Sequence, residues 1–268
     1  MMDNDELCAQ EIAKRAMKIA GDLCVYTNNT NTMEVYQKPH PELPIEERPT
    51  FGYWDSRGKG AQIHYLLNYC AVDYNQKIYK RGPAPEFSKS AWLKHKDEVE
   101  LQFPNLPYLI DGDVKLTESK SIMKYIAKKY DERLLGRTPE EMAKTDMVSR
   151  VHDSLHDRIG QHFADENPDE FALEIEIVGQ MLSTYFSKDC KEFAAGSNLT
   201  FVDFSMFELL DFMNHYSEGQ TFEKHNNLKL YHKRIASLPR FSDAWADDSK
   251  LRKEPFRYGG LTALTLQI

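Results

Sequence analysis

The 268-residue chain contains no run of eighteen apolar residues, so its sequence offers no candidate for a membrane-crossing helix. Cysteine is scarce and scattered: Cys8, Cys24, Cys70 and Cys190 lie far apart and form no CxxC, which points to neither a disulfide framework nor a zinc ribbon. An excess of basic charge is also missing. The formal net charge is -8, against what a nucleic-acid binder needs to neutralise phosphates, so no nucleic-acid partner is expected. The opening residues Met1 to Glu6 are acidic where secretory and mitochondrial presequences are basic. A reducing, cytoplasmic compartment is the expectation.

The composition that remains is that of a folded protein, with 41% hydrophobic and 28% charged residues, and the length suits about two domains. Charge is unevenly spread. Between Thr50 and Tyr130 the chain has 13 Lys and Arg against 9 Asp and Glu, while the rest is acidic, so an anionic small ligand would be drawn to that segment.

Cys8, Ile12, Ala16, Ile19 and Leu23 are spaced as the stripe of an amphipathic helix, and a Pro-rich linker follows at 38–44. Residues 1–48 therefore read as an N-terminal extension. From Thr50 the pattern is a strand through Trp54, a helix around Ala61–Cys70 and a strand around Asp73–Lys80. A second helix is expected near Ser90–Glu100, then strands at Tyr108–Asp111 and Val114–Thr117 joined by a Gly112-Asp113 turn, and a helix from Ser119. This β-α-β-α-β-β-α order defines an α/β layer over 49–131. Strand signals then end, and helical periodicity runs over 138–245. Within it Thr200 and Asp203 form a capping pattern before the apolar run Phe204–Phe212. Residues 246–268 are a tail whose end, Leu264–Ile268, alternates like a strand.

Three stretches, Gly52-Tyr53-Trp54-Asp55-Ser56-Arg57-Gly58, Phe103 through Gly112, and Leu116 through Ile122, occur in order, with a loop Tyr79 through Pro85 between the first two. Together they resemble the signatures of the mu class of glutathione transferases, from about Thr50 to Trp245. The resemblance implies an α+β protein, a thioredoxin-like glutathione-binding domain followed by an all-helical domain. It implies a transferase that joins the glutathione thiolate to a hydrophobic electrophile, with glutathione as co-substrate and neither a metal nor another cofactor. The alternative within the same resemblance is a non-catalytic subunit of a larger assembly, attached through residues 1–48 and 250–268.

The resemblance also assigns roles. Tyr53 would donate a hydrogen bond to the glutathione sulfur. Leu106, before a cis Pro107, would pair with the cysteinyl part of the peptide, and Asn105 belongs to the same stretch. Ser119 at a helix start would receive the γ-glutamyl carboxylate, and Glu118 the amino group. Trp92, Lys96 and Lys89 would hold the glycine end, Trp54 would line the pocket, and Phe103 would insert into a partner subunit, making a homodimer. The chain departs from the class at several points: Lys59, Lys89 and Glu118 replace leucine, arginine and glutamine, while His156 and Glu166 stand where aspartate and tyrosine are usual. His152 and His156, one helical turn apart beside Asp153 and Asp157, read as solvated helix surface rather than a metal site.

Overall fold

The computed structural model describes residues 43–83, 86–164, 167–188, 191–245, 257–258 and 261–262. The stripe from Cys8 to Leu23, Glu166 and the alternating end from Leu264 lie outside them.

The first layer follows the order read from the sequence: β1 (Thr50–Trp54), α1 (Gly58–Tyr69), β2 (Asn75–Tyr79), α2 (Ser90–Leu93), β3 (Tyr108–Asp111), β4 (Val114–Thr117) and α3 (Ser119–Tyr130). The strands lie side by side as β2-β1-β3-β4. β1 is parallel to β2, which requires the α1 crossover, and antiparallel to β3; β3 and β4 close as a hairpin. Gly112 supplies the positive φ of that turn, at 59°. One expectation is corrected. The helix foreseen over Ser90–Glu100 ends at Leu93 and continues as turns. Its charged run Lys94-His95-Lys96-Asp97-Glu98 offers no apolar stripe to bury, so propensity has no packing to support it.

The second part is helical: α4 (Pro139–Ala164), α5 (Pro168–Ser187), α6 (Phe201–Tyr216), α7 (Gln220–Lys224), α8 (Asn226–Ala236) and α9 (Phe241–Ala244), before a short hairpin of β5 (Arg257–Tyr258) and β6 (Leu261–Thr262). α6 is enclosed on all sides from Phe201 to Leu210, as expected of a helix apolar around most of its circumference. The capping pattern is formed. The Asp203 carboxylate accepts hydrogen bonds from the Thr200 N–H (2.7 Å), the Ala194 N–H (2.6 Å) and the Tyr231 hydroxyl (2.8 Å). Even so, burial pushes its pKa up to about 6.

The main core is continuous from Phe51 on the sheet through Ile63, Leu66 and Leu67 of α1 to Phe204 and Phe207 of α6. Across the sheet a smaller cluster of Tyr79, Trp92, Leu101, Leu106 and Tyr108 forms a mostly aromatic floor.

Candidate active site

Tyr53 lies near the end of β1, where the strand passes into the loop before α1. Its ring sits directly over Gly60: a Cβ built there would come within 2.2 Å of the ring, so only glycine admits this approach. The Tyr53 hydroxyl oxygen accepts a hydrogen bond from the Lys59 N–H at 3.1 Å, in the first turn of α1. Its proton is therefore available for an outside acceptor. Burial pushes the hydroxyl pKa up to about 12, against the lowering effects of the Lys59 N–H and the Arg81 charge. Tyr53 is thus a protonated donor at neutral pH, the state that hydrogen bonding to an anionic sulfur requires.

The aromatic floor fixes Trp92. It stacks on Tyr108 (centroids 5.9 Å apart, 27° between planes) and meets Tyr79 edge-on at 5.2 Å. Gly52 permits this, because the Tyr108 ring occupies the space a Cβ would need, 2.1 Å away. Lys96 follows one turn later, its N–H bonded to the Trp92 carbonyl at 2.9 Å, and is half-buried. Lys89 is exposed and its carbonyl accepts from the N–H groups of Trp92 and Leu93, starting α2. Trp54, half-buried at the end of β1, carries the Arg81 guanidinium over its ring at 4.4 Å.

The Leu106–Pro107 peptide is cis. The Leu106 N–H donates to Asn105 Oδ1 at 2.9 Å, so a peptide ligand pairing with that amide would displace the Asn105 side chain. Asn105 in turn reaches Glu118 Oε1 at 3.5 Å, tying this loop to the start of α3. Glu118 holds φ 68°, ψ 113°, a backbone state disfavoured for any residue with a Cβ, immediately before Ser119 opens α3. Such strain persists only where the surroundings impose it, and it gathers at functional positions.

Phe103 stands apart, 74% exposed, which removes core packing as its role within this chain. The reading of His152 and His156 as solvated surface is overturned. His152 is 2% exposed, and burial pushes its pKa down to about 3. His152 turns inward toward Lys120, whose Nζ lies 3.4 Å from His152 Nδ1 and 3.6 Å from Asp153, and donates to Gln62 Oε1 (2.9 Å) and Ser205 Oγ (2.6 Å); His156 is partly buried, its ring 6.0 Å from that of His152. Burial lowers the Lys120 pKa to about 8. Among the described residues no group of three or more His, Cys, Asp or Glu is placed to hold a metal ion.

Sequence reasoning missed a second enclosed cluster. Arg57, at the start of α1, reaches Glu208 (2.7 Å) and Asp211 (2.8 Å) on α6, Tyr65 donates to Glu208 (2.6 Å), and Arg57 lies over Trp245 at 4.8 Å. Its only signal was an arginine inside the first motif.

Two family models match the chain: the N-terminal domain of glutathione S-transferase over residues 49–128 and the C-terminal domain over 152–246. A glutathione S-transferase of Dermatophagoides pteronyssinus is 35% identical over 206 residues, 73% of this chain and 89% of that one. Glutathione S-transferase Mu 1 of Bos taurus is 34% identical over 203 residues, covering 71% and 87%. The crystal structure of the glutathione S-transferase Blo t 8 superposes with a TM-score of 0.67 at 28% identity, over 79% of this chain and 98% of that one. The chain belongs to the glutathione S-transferase family. No described helix is long and apolar enough to cross a membrane.

Proposed function

We propose that the protein conjugates glutathione to small electrophiles, with Tyr53 as the hydrogen-bond donor to the reacting sulfur. The observation that carries this reading is the Tyr53 hydroxyl, held protonated and with its oxygen already bonded to the Lys59 N–H. A hydrogen bond to a charged acceptor contributes about 1.5–3 kcal/mol, which lowers a thiol pKa from about 8.5 by roughly one to two units. The thiolate fraction at about pH 7 then rises from about 3% to between roughly a quarter and three quarters. With an aryl halide, the sulfur lone pair forms the S–C bond, halide leaves with the C–X electrons, and the thiol proton passes to solvent.

Glutathione binds along the exposed ends of the sheet. Lys89, Trp92 and Lys96 hold the glycine carboxylate; Asn105, Leu106 and Pro107 present backbone to the cysteinyl unit; Glu118 and Ser119 take the γ-glutamyl end at the start of α3; Trp54 lines the same pocket. The hydrophobic electrophile lies toward the helical domain. Two chains pair through Phe103 as a homodimer, in the cytoplasm.

Tyr53→Phe tests the mechanism: turnover with an aryl halide falls about tenfold to a hundredfold, the loss of one charge-assisted hydrogen bond, while glutathione affinity stays within a few-fold. Wild-type protein that binds glutathione and conjugates nothing would mean the non-catalytic alternative.

A further inference from the structure

The first turn of α1 sets an exposed lysine beside Tyr53. The Lys59 N–H is bonded to the Tyr53 hydroxyl oxygen at 3.1 Å, which fixes the Lys59 backbone there. Its side chain leaves α1 on the face that carries Gln62, one turn on. Gln62 Oε1 accepts from Lys120 Nζ at 2.9 Å, and that Nζ lies 3.6 Å from Asp153 of α4. Lys59 therefore stands next to Tyr53 on the side of α1 that looks toward α4. Its ammonium makes no hydrogen bond or ion pair among the described residues. The carboxylates across from it have nearer partners: Asp153 has Lys120 and His152, the latter 3.2 Å away, and Asp157 has His156 at 3.4 Å. The electrostatics agree with this placement. The His156 hydrogen bond holds the Asp157 carboxyl below its usual range, and the Lys59 charge adds to that against burial; burial pushes the His156 pKa down, and Lys59 pushes the same way.

We propose that the protein selects small electrophiles that carry an anionic group, a carboxylate or a sulfonate, and that the Lys59 ammonium receives that group between Tyr53 and α4. This rests on the transferase reading above and names the substrate class of the same site. An electrophile attacked by a sulfur on Tyr53 lies within reach of the first turn of α1, because the Tyr53 hydroxyl is bonded to that turn. Of the cations on this side, Lys120 is nearly enclosed and its Nζ is already engaged by Gln62, Ser205 and Asp153. His156, its pKa lowered, is neutral at neutral pH and brings no positive charge. Lys59 is the exposed cation left to meet a ligand there. An ammonium on a flexible stem acts as a point charge, so the selection is by charge more than by shape. The net charge of the whole chain is -8, which repels anions at a distance, so the attraction has to be local. In the reaction the sulfur displaces halide as described above, and the anionic group stays on the electrophile unchanged. Lys59 is a specificity-determining residue, with Tyr53 remaining the group that touches sulfur.

The test compares one aryl halide as its free carboxylate and as its methyl ester, in wild type, Lys59→Met and Lys59→Arg. Lys59→Met lowers kcat/KM for the carboxylate relative to the ester about three- to tenfold, chiefly through KM, and Lys59→Arg keeps most of the wild-type ratio. Added salt erodes the wild-type preference and leaves the ratio of Lys59→Met nearly unchanged. Calorimetry on the two finished glutathione conjugates, acid and ester, reads the same ratio without turnover. Should Lys59→Met not fold, Lys59→Gln takes its place. A carboxylate-to-ester ratio that the neutral variant leaves as it was, in rate or in conjugate binding, overturns the proposal. So does a ratio lost equally in Lys59→Arg, because the effect would not then be one of charge. Wild type that binds both conjugates and forms neither overturns the transferase reading instead, and the binding ratio still decides for Lys59. Wild type that binds neither conjugate overturns both.

Discussion

Charge is used in opposite ways in two neighbouring regions. Along the sheet ends, Lys89 and Glu118 are exposed and Lys96 half-buried, on short turns and strand ends. Where α1 meets α6, Arg57 is enclosed and held by Glu208 and Asp211, and Lys120 is nearly enclosed against Gln62, Ser205 and Asp153. Burying an ion is costly unless its partners are built in, so the enclosed set must be complete within the chain. The outer set stays in contact with water. One region joins α1 and α3 to α6; the other is the one proposed above to take the ligand.

The largest expected effect tests the enclosed region. Arg57→Met leaves Glu208 and Asp211 facing each other without their cation and should lower unfolding stability by about 3–5 kcal/mol, read as a reduced urea midpoint. A loss under about 1 kcal/mol would show that the cluster tolerates being opened.

The next concerns pH. His152 has a folded pKa of about 3 against an ordinary 6.5, so between those values the unfolded chain binds more protons and stability falls as pH falls. The slope from this one group is about 1.4 kcal/mol per pH unit. Asp203, raised to about 6 from 3.8, has the opposite sign: across that window the folded state holds the extra proton, and stability rises as pH falls. His152→Asn should therefore retain a larger share of its neutral-pH stability in mild acid than wild type does. Identical acid profiles from denaturant titrations would mean that His152 hydrates before it protonates.

On the ligand side, Lys96→Ala should weaken glutathione binding by about 1–2 kcal/mol in calorimetry and leave unfolding stability within about 0.5 kcal/mol. A matching loss of stability would erase the contrast between the two regions. The smallest effect on the single chain belongs to Phe103→Ser: its ring is 74% exposed, so the fold should be indifferent while sedimentation reports a weaker dimer.

The same contrast explains what could be read in advance. β1 to α3 and the Thr200–Asp203 cap were legible because strand alternation, turn residues and capping are local patterns, and the residues proposed to face glutathione sit inside short motifs. The enclosed clusters were not. Arg57 and Glu208 meet across 151 positions of sequence, and nothing near either one announces the other. His152 misled for a related reason: beside Asp153 it reads as polar surface, yet it lies on the buried face of α4 with Val148, Leu155 and Ile159, where Lys120 of α3 meets it. The length of α2 failed because a charged run with helical propensity has no core face to hold it.

Gly52 and Gly60 carry no functional group, yet each occupies a place where a tyrosine ring has taken the room of a methyl, Tyr108 at 2.1 Å and Tyr53 at 2.2 Å. The site is shaped in part by atoms that are missing. In a library carrying every substitution at every position, scored for conjugation, these two rows should be as empty as the row for Tyr53, though neither residue takes part in the chemistry. An intolerance map alone would nominate three catalytic positions; one is the proposed donor, and the other two are clearances.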